Sequence, residues 1–163
     1  MSKILGRHSK LLCFIIIFIA GFKQQATAQS IVNYSYSSSS GSFASLSGAT
    51  NPTLTGTTDE GYFNNIPIGF EFWYMGVRTS TISASTNGWI TPGKIISDAT
   101  PVNNLVSGGT IRPILAPLWD DLDIVSASNV SYLTTGTTGS RIFIIQYLNV
   151  KWSKASGDRK SVV

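Results

Sequence analysis

An all-β fold, an antiparallel β-sandwich of jelly-roll-like kind, is predicted by three features of the sequence. Apolar and polar residues alternate with a period of two. Turn-forming groups recur every eight to twelve residues, and no stretch beyond residue 28 keeps a helical period. Composition agrees: residues 29–163 hold 21 Ser and 15 Thr, with eight basic and eight acidic side chains. Many hydroxyls, many aromatics and few charges are the composition of an extracellular β-protein, and the apolar content separates it from a disordered tail.

The first element is a leader. Lys3, Arg7 and Lys10 precede an apolar run at residues 11–22, and Ala26 and Ala28 stand where a signal peptidase reads small residues. A helix needs about 20 apolar residues to span a bilayer, so this run of 12 is too short for a stable membrane anchor. Residues 1–28 therefore read as a signal peptide cut between Ala28 and Gln29, and the product as secreted or cell-surface. Cys13 opens the run, whereas a lipidated Cys follows one.

Removing the leader changes the chemistry that remains. His8 and Cys13 are the only His and Cys, and both lie in it. Ser-His-Asp and Cys-His nucleophile systems, Cys/His zinc sites, His-ligated haem and disulfides are thereby excluded from the mature chain. Four of the twelve basic residues also lie in the leader, so the mature chain has no net formal charge and lacks the electrostatic footprint of a nucleic-acid binder.

Residues 31–37 alternate Val32, Tyr34 and Tyr36 against Asn33, Ser35 and Ser37 and read as a strand; residues 42–47 read as a weak one. Residues 48–61, rich in Thr, Gly and Asn, read as a loop with room for one short strand. Residues 68–75 form the first strong strand, with Phe70, Phe72 and Tyr74 opposite Glu71 and Trp73. Residues 78–85 form the next. Asn87-Gly88 suits a type I′ hairpin turn, because both residues accept positive φ, and Trp89 and Ile90 leave on a new strand that Pro92-Gly93 closes. Residues 98–109 are a polar connection. Residues 111–118 carry Pro113 and Pro117 and read as an edge strand or extended loop. A strand lies around residues 129–132, residues 134–139 form a turn, and residues 141–152 make the longest β segment. The core is expected from Phe70, Phe72, Trp89, Trp119, Phe143, Ile145 and Tyr147.

Candidate chemistry is sparse. Asp120, Asp121 and Asp123 put three carboxylates within four residues, which is costly unless a cation or many N–H donors neutralise them. The functional reading is a calcium site completed by loop carbonyls, with Asp121 and Asp123 on one strand face. The bland reading is carboxylates that accept hydrogen bonds from turn N–H groups. Beyond calcium no cofactor is expected. Glu71 with one of these aspartates is the only set for a glycosidase pair. Ser85-Thr86-Asn87-Gly88 has no acid, so it cannot act as an aspartic-protease loop. Trp73, Tyr74, Trp89, Trp119 and Trp152 are candidates for a sugar-stacking platform, though aromatics in a sandwich are more often core.

Four runs carry a resemblance: IGFEF at 68–72, SASTNGW at 83–89, LAPLWDDLD at 115–123 and RIFIIQYLNVKW at 141–152. In order and spacing they resemble a β-sandwich module found near the N-terminus of large secreted Bacteroidota proteins, often exported by the type IX system. More distantly they are similar to the nidogen-type (NIDO) module. The resemblance implies a non-catalytic module with a structural or adhesive role and no enzymatic activity; it supplies no agreed ligand, and a surface glycan or protein is the class of partner such a role allows. It supplies no catalytic residues. The alternative is a carbohydrate-binding module of an exported hydrolase whose catalytic part is missing here. In such modules further strands pair beside the last one, so the sandwich is expected to be incomplete at the C-terminus. Residues 29–157 then form a truncated module. Residues 158–163, which lack alternation and match the translation of a common sequencing adapter, read as a non-native tail.

Overall fold

A computed structural model of the chain describes residue 35 and residues 37–99 and 111–152. The strands are β1 (Leu54–Gly56), β2 (Gly61–Tyr74), β3 (Val77–Ser85), β4 (Ile90–Pro92), β5 (Leu122–Asp123), β6 (Val130–Thr135), β7 (Ile142–Tyr147) and β8 (Lys151–Trp152). A single 3-10 turn, Ala127–Asn129, is the only helical element among the described residues. Every pairing is antiparallel: β1-β2-β3-β4 form one sheet, β6 pairs with β7, and β5 pairs with β8.

The core lies between the four-stranded sheet and the β6–β7 hairpin. Phe63, Ile66 and Ile68 of β2 and Ile82 and Ala84 of β3 meet Ile124 and Val130, while Tyr132, Phe143, Ile145 and Tyr147 pack against that cluster. The fold is therefore all-β and antiparallel, as the period-two pattern predicts. Two polar side chains tie loops to this frame. Asn51 Nδ2 donates to the Val130 carbonyl at 2.8 Å, and Gln146 Oε1 accepts from the Leu46 N–H at 3.2 Å.

β2 begins at Gly61, earlier than the predicted start at residue 68, and β-bulges explain why the pattern hides its first half. Phe63 faces Ala84 and Ile66 faces Ile82, so β2 advances three residues while β3 advances two. Asn65 takes up the extra residue at φ 58°. The inward set consequently changes from odd positions to even ones, and a search for strict alternation loses the strand there. From Ile68 onward the parity is as expected, with Glu71 and Trp73 exposed and Phe70, Phe72 and Tyr74 half-buried. β1 reaches only as far as Phe63, so β2 has an open edge beyond it among the described residues, where Pro67 is tolerated.

Other expectations are corrected. Residues 42–47 are not a strand; they are a mostly exposed segment anchored through Gln146. Residues 141–152 are not one segment, and β2 is the longest strand. Asn149 adopts φ 55°, and the Leu148 N–H donates to the Asn129 carbonyl at 2.8 Å. The chain thus leaves β7 and pairs with β5 as β8. Of the seven expected core residues, Trp89 is fully buried and the other six are only half-buried, because the inward positions before Ile68 take the centre of the core. The strand expected at residues 31–37 falls mostly outside the described residues. The expected leader and cleavage site and residues 158–163 lie wholly outside them, as does most of the connection expected at residues 98–109.

Candidate functional site

The β3–β4 turn is the centre of the most connected polar cluster. Ser85, Thr86 and Asn87 are all fully buried. Gly88 has φ 76°, but Asn87 is not in the positive-φ region, so the type I′ expectation is corrected. The Gly88 N–H donates to the Ser85 carbonyl at 3.2 Å, and the Ser85 N–H donates to the Trp89 carbonyl at 2.9 Å. This is a three-residue loop with glycine in the left-handed position. Gly88 is required twice over, since a Cβ there would also stand 2.2 Å from the Leu118 carbonyl oxygen.

Each buried side chain of the turn ties it to another segment. The Thr86 hydroxyl donates to the Asp59 carbonyl and accepts from the Gly61 N–H at 2.9 Å. Asn87 Oδ1 accepts from the Leu122 N–H at 2.8 Å, and its Nδ2 donates to Glu60 Oε2 at 3.3 Å and the Ala99 carbonyl at 3.2 Å. The Ala99 carbonyl also accepts from Ser85 Oγ at 2.8 Å and Trp89 Nε1 at 3.2 Å. Trp89 packs on Trp119 with ring centroids 5.7 Å apart. Two of the runs singled out in the sequence, SASTNGW and LAPLWDDLD, are therefore two sides of one clasp. Burying these polar groups is tolerated because every one finds a partner.

The clasp fixes the acidic run. The Asp120 N–H donates to the Asn87 carbonyl at 3.3 Å, and Asp120 Oδ1 accepts from the Asp121 N–H at 2.8 Å. Asp123 Oδ1 accepts from the Val125 N–H at 2.7 Å and holds Val125 at φ 64°, an uncommon conformation for a β-branched residue. Asp120 and Asp123 thus serve their own loop. The three carboxylates that converge among the described residues are Asp59, Glu60 and Asp121, with oxygens within 4.8 Å of one another. Of the predicted trio only Asp121 belongs to this group. That spacing is about twice a calcium–oxygen bond and compatible with a shared cation, which would need further oxygen ligands from carbonyls or water.

The corner is electronegative. Partial burial pushes the Glu60 carboxyl above its ordinary value, and the neighbouring Asp59 and Asp121 charges push it the same way, while the Asn87 hydrogen bond opposes them. Asp59 and Glu60 escape sequence reasoning because they sit 60 residues before the acidic run. The signal was the β2–β3 register: once Tyr62 is paired with Ser85, Glu60 must lie beside the Asn87 turn.

Glu71 lies elsewhere, at the β2–β3 hairpin, where its carboxylate pairs with Arg78 at 3.0 Å. Among the candidate platform aromatics, Trp89 is buried, Tyr74 and Trp119 are half-buried, and Trp73 (57%) and Trp152 (42%) are exposed. Trp73 stands directly across the ladder from Arg78.

A family model described as NIDO related matches residues 33–162 of the chain. No curated protein and no solved structure matches it.

Proposed function

We propose, from the premise that the chain belongs to the NIDO-related family, that it is a non-catalytic module of a secreted or cell-surface protein with a structural or adhesive role. The observation that carries this reading is the fate of the polar groups in the β3–β4 corner. Ser85, Thr86 and Asn87 are buried and turned onto the backbone of other segments, whereas a nucleophile or general base must reach a substrate atom. The corner therefore works as a clasp that fixes surface loops. Type IX export of a Bacteroidota-type surface protein is the route that fits the four sequence runs.

The test has two parts. The secreted product should begin at Gln29 on N-terminal sequencing; an intact Met1 in a membrane fraction would oppose the reading. The purified product should bind its host's surface or extracellular matrix without turning over ester, peptide or glycoside substrates.

One observation favours carbohydrate binding as a second reading, in a module that accompanies an exported hydrolase. The exposed Trp73 ring lies beside the Glu71–Arg78 pair, which offers a stacking surface and polar groups for sugar hydroxyls. A glycan array separates the two readings. Selective sugar binding that disappears in Trp73→Ala supports the second reading, and a blank array supports the first.

A further inference from the structure

Among the described residues, the apolar interior is not closed between the four-stranded sheet and the β6–β7 hairpin. A cavity of about 500 Å³ opens there, with Phe70, Phe72, Ile82, Leu115, Phe143 and Ile145 in its wall. The other lining side chains are Ile and Pro, except for Arg141, the one charged residue among them. The volume falls within the range of about 300–1,000 Å³ typical of small-molecule sites. The cavity wall offers water few hydrogen-bonding partners, so filling the cavity with hydrocarbon removes apolar surface from solvent.

Arg141 defines the chemistry of the occupant. Its guanidinium carbon sits 5.2 Å from the Phe70 ring centroid, and Nη1 donates to the Gly69 carbonyl at 3.0 Å. Arg141 forms no ion pair among the described residues, where Glu71 pairs with Arg78. Guanidinium has five N–H donors in a fork that matches a carboxylate. Among the described residues, a cation without an ion-pair partner thus stands beside an apolar slot. We propose that this cavity binds a single-chain carboxylate amphiphile of the fatty-acid type, its alkyl chain between the two layers and its carboxylate on Arg141. The inference goes beyond the structural or adhesive role and stands without it.

Calorimetric titration of the purified chain with dodecanoate, kept below its micellar concentration, tests the assignment. One equivalent should bind saturably, and dodecanol should bind about tenfold more weakly, since it keeps the chain and loses the charge-assisted hydrogen bonds. Arg141→Gln should lower dodecanoate affinity to that of dodecanol and leave dodecanol unchanged, while Arg141→Lys should restore part of the difference. Arg141 is exposed, so these variants should fold, and a thermal melt of each checks it. Leu115→Trp, which fills the slot, should abolish both bindings. Absence of saturable dodecanoate binding, equal affinity for the alcohol, or indifference to Arg141→Gln would overturn the proposal. So would binding to lipid vesicles alone, or capture of an extended peptide of alternating valine and threonine without any binding of dodecanoate.

Discussion

Asn87 shows why a small amide sits where a carboxylate would fail. Its oxygen faces an N–H donor and its nitrogen faces two acceptors, the Glu60 carboxylate and the Ala99 carbonyl. Asn87→Asp keeps the shape but sets lone pairs against both acceptors and adds charge beside Glu60. It should cost on the order of 1–3 kcal/mol at pH 7 and less near pH 4, read from urea denaturation at both values. Glu60 gives the complementary prediction. Its folded carboxyl is raised above 4.5, so the unfolded chain loses its proton first, and stability falls as pH rises through the window above that value. Glu60→Gln keeps an acceptor for Asn87 and removes that slope: the variant should be more stable than wild type at neutral pH and nearly equal to it below about pH 4. A bound cation reverses the argument, because it stabilises the charged form. If Asp59, Glu60 and Asp121 hold calcium, the ion should raise the melting temperature of the wild type and not of Glu60→Gln. Equal melting temperatures in chelator and millimolar calcium would leave the trio as a purely electrostatic feature.

Among the elements, β3 and the second half of β2 were legible because their sequences alternate and, although the ladder shifts register between Pro67 and Phe72, the inward parity from Ile68 to Tyr74 is kept. The first half of β2 was not, since Asn65 inserts a residue and moves Phe63 and Ile66 out of phase with Ile68. The break at Asn149 was illegible for a related reason: asparagine tolerates positive φ without announcing it, and the apolar run around it reads as one strand. The acidic run was legible as a cluster, but its partners are set by strand register, which a local reading does not contain. The Tyr147 contact belongs to this scale as well. Its phenol donates to the Ser85 carbonyl at 2.8 Å across the two layers, and burial pushes its ionisation far above the usual tyrosine range. Tyr147→Phe should cost about 0.5–1.5 kcal/mol, because the Ser85 carbonyl keeps the Gly88 N–H as a partner. An unchanged urea midpoint would show that the bond adds nothing to the packing of the ring.

Among the described residues, the four-stranded sheet and the β6–β7 hairpin share a fully buried apolar centre at one end and a cavity walled by half-buried side chains at the other. Burial is therefore uneven among aromatics that look equivalent in the sequence. Phe63 is completely buried in the central cluster, whereas Phe72 and Phe143 are half-buried on the wall of the open cavity. Truncating a buried aromatic removes its transfer energy and leaves a void, typically about 3–5 kcal/mol together. Around Phe63 the neighbours Ile66, Ile82, Ala84 and Val130 are already packed on one another and cannot collapse into the gap. Phe72 and Phe143 keep part of their surface in solvent, so they have less transfer energy to lose, and their removal enlarges an opening that already exists. Domain stability is about 5–15 kcal/mol in total, so a loss of this size separates a folded product from an insoluble one. Phe63→Ala should abolish soluble expression or lower the urea midpoint sharply, and Phe72→Ala and Phe143→Ala should shift it by roughly half as much. Equal shifts for all three would mean that the two layers close in solution and bury the cavity wall as deeply as the centre.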